Sequence, residues 1–210
     1  MELGTVAGLW RYPVKSLKAE ALARATVLAD GLEGDRAAAL VVETPSHARA
    51  GKPYRGKESA HLHLTSDPAT AASYARDAGV LVTLDRTRAR WFDARPVSVL
   101  FDLWVADVEA LVGEPLDPLR WRPNLYVRAA PGFAKRETGL VAAKLRIGGV
   151  ALRVLEPIDR CVTTTYDVAT GAAHPRVLET VARRRDNVVG VYCDVLEPGE
   201  VALGDTVRTY

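Results

Sequence analysis

A mixed α/β, β-rich fold is predicted for this 210-residue chain on three observations. Much of the sequence alternates apolar and polar residues with period two, as half-buried strands do. Gly148-Gly149 joins two such runs and gives the strongest hairpin signal in the chain. Only three stretches combine helical spacing with helix-boundary residues. The composition agrees: 48% hydrophobic and 26% charged is the balance of a packed domain, not of disorder. The length suits one large domain or two small interlocked ones.

From the N-terminus, Thr5–Arg11, Ala23–Ala29 and Ala37–Val42 read as strands. Between the last two, Asp30 to Arg36 is a turn rich in residues that tolerate positive φ. Thr44–Ser59, with its Pro, Gly, Ser, Arg and Lys, reads as a mobile loop beside the core. Asp67 caps a first helix, with Pro68 at its first position and an end before Gly79. A domain division is expected near Asp85–Pro96, giving units 1–90 and 91–210. The second helix runs from Asp102 to Val112, with Leu103, Val108, Leu111 and Val112 on one face and Gly113 as its stop. Leu125–Val127 is a strand, and Leu145–Ile147 with Val150–Leu155 form the Gly-Gly hairpin. A third helix, Pro175 to Arg185, turns Val177, Leu178, Val181 and Ala182 inward and sets Arg183–Arg185 at its C-terminal dipole end. Val188–Leu196 and Val201–Arg208 flank Glu197-Pro198-Gly199-Glu200 as a second hairpin, and Gly204-Asp205 marks one more tight turn.

The formal charge is 28 − 26 = +2, too balanced for a dedicated nucleic-acid binder. The basic residues are 22 Arg and 6 Lys, many forked groups suited to phosphate. Two cysteines make no disulfide framework, and no CxxC pair offers a zinc or iron–sulfur site. Nothing resembles a secretory leader, and no apolar run nears the roughly 18 residues of a membrane span. The expectation is a soluble, cytoplasmic, thiol-reduced protein without membrane or nucleic-acid partners. P-loop, GxGxxG and GxSxG signatures are absent. His61 and His63 share a strand face but have no third ligand at a useful spacing, so they read as an ordinary, partly exposed face.

Three stretches stand out. Pro13 breaks the first strand within Trp10-Arg11-Tyr12-Pro13-Val14-Lys15-Ser16-Leu17, leaving Lys15 and Ser16 on a connection where they can reach a ligand or simply face solvent. Arg120-Trp121-Arg122-Pro123-Asn124 places two arginines and an amide before a strand, a binding edge or an ordinary sheet margin. Glu156-Pro157-Ile158-Asp159-Arg160-Cys161 then Val162 to Thr165 sets a cysteine after a strand-ending proline and beside an arginine. That setting favours a thiolate, a soft ligand for a transition metal. Cys193, inside an apolar strand, reads as a small buried hydrophobe.

In this order and spacing the three stretches resemble the MOSC family, named for the C-terminal domain of molybdenum cofactor sulfurases. The part from Leu9 to Gly31-Leu32-Glu33-Gly34-Asp35-Arg36 is similar to the β-barrel domain that precedes it in many members. The Arg-Trp-Arg-Pro-Asn run, Arg160-Cys161, Asp167 to Thr170-Gly171, Gly190-Val191-Tyr192 and Gly199 to Gly204-Asp205 resemble the MOSC domain itself. The resemblance implies a β-barrel MOSC fold with an interlocked N-terminal barrel-like domain, around a molybdenum cofactor: a pterin dithiolene bearing a phosphate. Position by position it makes Cys161 the metal ligand and catalytic centre. It assigns Lys15, Ser16, Arg36, Arg122 and Asn124 to the pterin and phosphate, with Arg160 and Thr164 lining the site. Trp104 and Asp159 depart from the residues common in relatives, and either could reshape the pocket.

By resemblance to bacterial and mitochondrial amidoxime-reducing proteins, the leading expectation is an oxidoreductase acting on small N-hydroxylated or N-oxygenated compounds. The alternatives are a sulfur carrier with a persulfide on Cys161, any pyridoxal-phosphate chemistry residing in a partner, and a cofactor-storage module without turnover. The family-like region runs almost to the last residue, so electrons are expected from a separate iron–sulfur or flavin protein. Arg49, Lys52, Arg55 and Lys57 would offer an acidic donor a basic docking face.

Overall fold

The computed structural model describes residues 1–210. Strand β1 (Glu2–Arg11) lies between strands from the other end of the sequence, pairing with both β8 (Leu125–Ala129) and β13 (Thr206–Thr209). Between them come β2 (Glu20–Ala21), β3 (Arg24–Leu28), β4 (Gly31–Leu32), β5 (Ala39–Val42), β6 (Val82–Asp85) and β7 (Val97–Phe101). After β8 follow β9 (Lys144–Ile147), β10 (Val150–Asp159), β11 (Val188–Glu197) and β12 (Gly199–Ala202). Seven strands close in the order β1-β8-β7-β11-β10-β9-β13 and back to β1. Every pair is antiparallel except β7 with β8, whose crossover is helix α2 (Asp102–Val112). Closure removes the free edges an open sheet would expose. The first strand therefore belongs to the barrel built by the C-terminal half.

Two apolar clusters result. The barrel and α2 share a cluster of 31 buried residues. A second, of 10, packs β5, the short 3-10 turn Ala60–Leu64 and helix α1 (Pro68–Asp77) around Leu40, Tyr54 and Leu62. Helix α1 starts as read: the Asp67 carboxylate accepts from the amides of Ala69 and Thr70, and Pro68 stands at the first position. The β9–β10 hairpin also forms around Gly148-Gly149, with Val150 paired to Ile147. No helix is long and apolar enough to cross a membrane.

Several expectations need correction. The run after β11 is not a hairpin: β12 pairs with β3, and β13 with β9 and β1. Pro157 does not end its strand. It pairs with Val191 beside a register shift, where a missing N–H is tolerated, and β10 continues to Asp159. Helix α2 is rotated from its expected face, burying Trp104, Val105, Val108 and Val112 and leaving Leu103 and Leu111 partly exposed. Trp104 is core, not pocket: its ring packs tilted against Phe101 with centres 4.9 Å apart, and its indole N–H donates to the Lys135 carbonyl at 2.9 Å. On helix α3 (Pro175–Arg184), Ala182 is exposed, and Arg185 beyond it is 2% exposed, its guanidinium donating to Asp107 and Glu137 at 2.7 Å each. A buried counter-charge has claimed it rather than the helix dipole.

The stretch Thr44–Ser59 folds back on β5. Val42 and Tyr54 donate to the carbonyls of Lys52 and Leu40, and Tyr54 is buried. His61 and His63 sit on the 3-10 turn, not on a strand. His61 is exposed against Tyr74, whereas His63 is buried.

Candidate functional site

One cavity of about 240 Å³ gathers residues from both parts of the chain. The connection after β1 gives Ser16, the turn before β5 gives Arg36, and the stretch folded on β5 gives Arg55, Gly56 and Lys57. The barrel side gives Ser98, Arg120, Trp121, Arg122, Asp159, Arg160, Cys161, Thr163, Thr164 and Tyr192. Its six basic side chains (Arg36, Arg55, Lys57, Arg120, Arg122 and Arg160) face two acids, Asp93 and Asp159. Three of the six are paired with carboxylates, Arg36 with Asp35, Arg55 with Glu58 and Arg120 with Asp167, and the excess that draws anions rests on Lys57, Arg122 and Arg160.

The backbone marks the same place. Six non-glycine residues have positive φ, and three of them, Ser16 (70°), Arg36 (48°) and Arg122 (51°), line this cavity. A side chain held in the left-handed region costs on the order of 1 kcal/mol and persists only where the surroundings impose it. Arg122 reaches that conformation as the terminus of the 3-10 turn Pro118–Trp121, which Asp117 opens by accepting from the Leu119 amide. Arg36 follows Asp35, whose fully buried carboxylate accepts from the Tyr12 amide at 2.7 Å and pairs with the Arg36 guanidinium. Arg36 and Arg122 both stack on the Tyr12 ring, at 4.8 and 4.1 Å from its centre. Burial raises the Tyr12 phenol to about 12 although both arginines oppose it, so the ring is a neutral slab contacted by two cations.

The basic groups differ in how far they are spent. Arg160 donates from Nε to the Val189 carbonyl at 2.7 Å and from Nη1 to the Trp121 carbonyl at 2.8 Å. Burial lowers it to about 10, still cationic at neutral pH, and it serves as scaffolding. Gly190 makes room for it, since a Cβ there would lie 2.9 Å from Arg160 Nη2. Arg120 is compensated by Asp167 at 3.0 Å and Arg55 by Glu58. Arg122 pairs with no carboxylate. Its Nη1 donates to His63 Nδ1 at 3.1 Å, and its Nη2 is buried without a partner. Burial and then the Arg122 charge push His63 down to about 3, so the ring is neutral and can accept that bond.

Of the residues singled out from sequence, Ser16, Arg36, Arg122, Arg160, Cys161 and Thr164 line the cavity together. Two do not. Lys15 is buried and turned to Asp93 and the Trp91 carbonyl, and burial pulls its ammonium down despite Asp93 beside it. Asn124 ties three strands: its Oδ1 accepts from Ser98 N at 3.1 Å and Oγ at 3.0 Å, and its Nδ2 donates to the Trp10 carbonyl. Thr164 spends its hydroxyl on the Cys161 carbonyl at 3.0 Å. Cys161 opens the 3-10 turn Val162–Thr165 in extended conformation, partly exposed, with Sγ 3.1 Å from the Thr163 hydroxyl. Cys193 is fully buried, and burial raises its thiol well above the ordinary range.

Sequence reading missed His63, Arg55, Lys57, Thr163 and Tyr192 as lining. For His63 the signal was weak: it looks like one polar residue in an alternating run. Gly56 was the better clue, because a Cβ there would fall 2.5 Å from the His63 ring.

Comparison with known proteins now decides the family. The model of the MOSC N-terminal beta barrel domain matches residues 3–84, and that of the MOSC domain matches residues 85–208. The chain belongs to the MOSC domain family. Among solved structures it is similar to the YuaD protein from Bacillus subtilis, at 19% identity and a TM-score of 0.60, covering 99% of this chain and 97% of that one. A hypothetical protein matches at 11% identity and a TM-score of 0.50, covering 100% and 68%. YiiM from Escherichia coli matches at 10% and 0.49, covering 100% and 70%. At these identities the likeness to the first two is one of fold. No curated protein matches this MOSC chain.

Proposed function

We propose that the cavity holds a molybdenum cofactor and that this MOSC protein is an oxidoreductase for N-hydroxylated or related N-oxygenated compounds. One observation carries the reading: the accessible thiol, Cys161, opens into a cavity whose six cations face two acids. The residues fit the group. A soft metal takes sulfur, and a phosphate takes forked guanidinium donors. The buried, unpartnered Nη2 of Arg122 is the valence an anion would fill. Cys161 would ligate the metal, and Arg122 and Arg36, with Ser16 beside them, would hold the anionic end. When bound, the cofactor supplies the two electrons that, with two protons, cleave an N–O bond to release water. The chain fixes the geometry: the Thr163 hydroxyl positions Sγ, neutral His63 holds Arg122, and Arg160 braces the Trp121 turn.

The reducing electrons come in this scheme from a separate iron–sulfur or flavin protein. Lys52 and Lys57 are the open charges it would meet, because Arg49 and Arg55 are paired with Glu58. The test is metal content and turnover of protein made in a molybdenum-competent host. Molybdenum should approach one per chain and vanish in Cys161→Ala. A chemical reductant, but not NADH alone, should support reduction of a simple N-hydroxylated amidine. Metal-free protein carrying a persulfide on Cys161 would overturn the assignment in favour of sulfur transfer.

A further inference from the structure

A second cavity, also of about 240 Å³, shares His63, Arg120, Arg122 and Thr163 with the first, so these four form the wall between them. Its character is different. Six of its 12 lining residues are hydrophobic, against 4 of 18 in the first. Tyr12, Leu119, Tyr166 and Val168 supply apolar walls, and Tyr166 lies against the His63 ring at 6.1 Å. The volume falls below the ~300–1,000 Å³ of drug-sized sites, leaving room for one ring and a short substituent.

The polar groups indicate what that substituent is. Arg120 is neutralised by Asp167, and one Asp117 oxygen is occupied by the Leu119 amide. Lys18, exposed at this cavity, makes no ion pair, and Arg122 keeps a buried donor without a partner. Asp117 makes no ion pair either, so against Lys18 and Arg122 the unpaired charge comes to one positive, beside a wall with two phenol rings. We propose that this chamber binds a small aromatic carboxylate, its ring between Tyr166, Tyr12, Leu119 and Val168 and its carboxylate on Lys18 and Arg122. Of the four wall residues, Thr163 reaches the thiol of the first cavity, its hydroxyl 3.1 Å from Cys161 Sγ. The Arg122 Nη2 that would hold the cofactor's anion is free in the metal-free chain, so the carboxylate and the cofactor would compete for it.

The experiment is calorimetric titration of the metal-free protein with benzoate, with benzyl alcohol as the neutral control. Benzoate should bind at least about tenfold more tightly than the alcohol, as loss of a charge-assisted bond implies. Tyr166→Ala should weaken benzoate about tenfold, and Lys18→Ala about threefold, as for an exposed charge. Lys57→Ala, which touches only the first cavity, should leave binding unchanged. Three results overturn the proposal: no binding at millimolar benzoate, equal binding of the alcohol, or loss in Lys57→Ala with Tyr166→Ala unaffected. None of these bears on whether the first cavity holds molybdenum.

Discussion

Two clusters of buried charge in this molecule are built on opposite rules. Between α2, α3 and β11, Arg185 and Glu137 are 2% and 1% exposed, and each meets its match. Arg185 donates to Glu137 and Asp107, and Glu137 Oε1 also accepts from the Gly190 amide at 3.3 Å. At the cavity wall stand Arg122 and Arg36, with Lys15 buried close behind them and Arg122 unmatched by any carboxylate. A structural charge cluster matches its charges because an unpaired buried charge is expensive, even where one donor, Arg185 Nε, has no partner. A binding cluster leaves one charge without a carboxylate and spends fold stability to do so. The difference separates residues for holding the fold from residues for holding a ligand.

Breaking the closed cluster should have the largest effect on the fold. Glu137→Ala strands Arg185 in the interior beside only the half-exposed Asp107, and removing one partner of a buried pair costs about 3–5 kcal/mol. Denaturant unfolding should show that loss. A change under about 1 kcal/mol would mean that water or rearrangement reaches Arg185 easily, and the contrast between the clusters would fail.

Breaking the open cluster should reverse the pattern. Arg122→Ala removes a charge that the fold desolvates without compensation, so stability should shift by about 1 kcal/mol or less. Pyrophosphate affinity and cofactor retention should each drop about ten- to a hundredfold, the value of one charge-assisted contact of about 1.5–3 kcal/mol. Arg122→Lys should recover only part, since a point charge does not reproduce a fork stacked on Tyr12. Full anion affinity in Arg122→Ala would remove it from the binding machinery.

The same contrast explains what the sequence could and could not reveal. Local chemistry was legible: Asp67-Pro68 begins α1, and Gly148-Gly149 turns β9 into β10. Long-range pairing was not. Nothing near Gly199 states that β12 will join β3, about 170 residues earlier, and nothing near Arg185 names Glu137 as its partner. The site divided in the same way. Ser16, Arg36, Arg122 and Cys161 stood in recognisable runs, and they do share the cavity. That Asn124 would spend its amide on Ser98 and Trp10, or that His63 would be buried against Arg122, depends on neighbours 26 to 114 residues away. Chain pattern shows which residues are unusual; only the fold shows which have valence left.

Lys15 is the case between the two rules, and it gives the smallest predicted effect. Its ammonium is buried, yet it is held by Asp93, a residue whose side chain is 68% exposed. Desolvation opposes ionisation of Asp93, but Lys15, then Arg36 and Arg122, outweigh it and hold the carboxyl below its usual range. Asp93 thus stands where an incoming anion would, as an internal counter-ion on the irregular stretch between β6 and β7. Replacing it with Asn keeps the shape and removes the competitor. Because the carboxylate is largely in solvent, the gain belongs to the surface range of about 0.2–1 kcal/mol. Asp93→Asn should therefore bind pyrophosphate up to about fivefold more tightly, the opposite sign to Arg122→Ala in the same titration. The Trp91 carbonyl, 3.0 Å from Lys15 Nζ, still holds the freed ammonium in place. If Asp93→Asn instead weakened the anion, the Lys15–Asp93 pair would be structural, closed in the manner of Arg185 with Glu137, and the open cluster would reduce to Arg36 and Arg122.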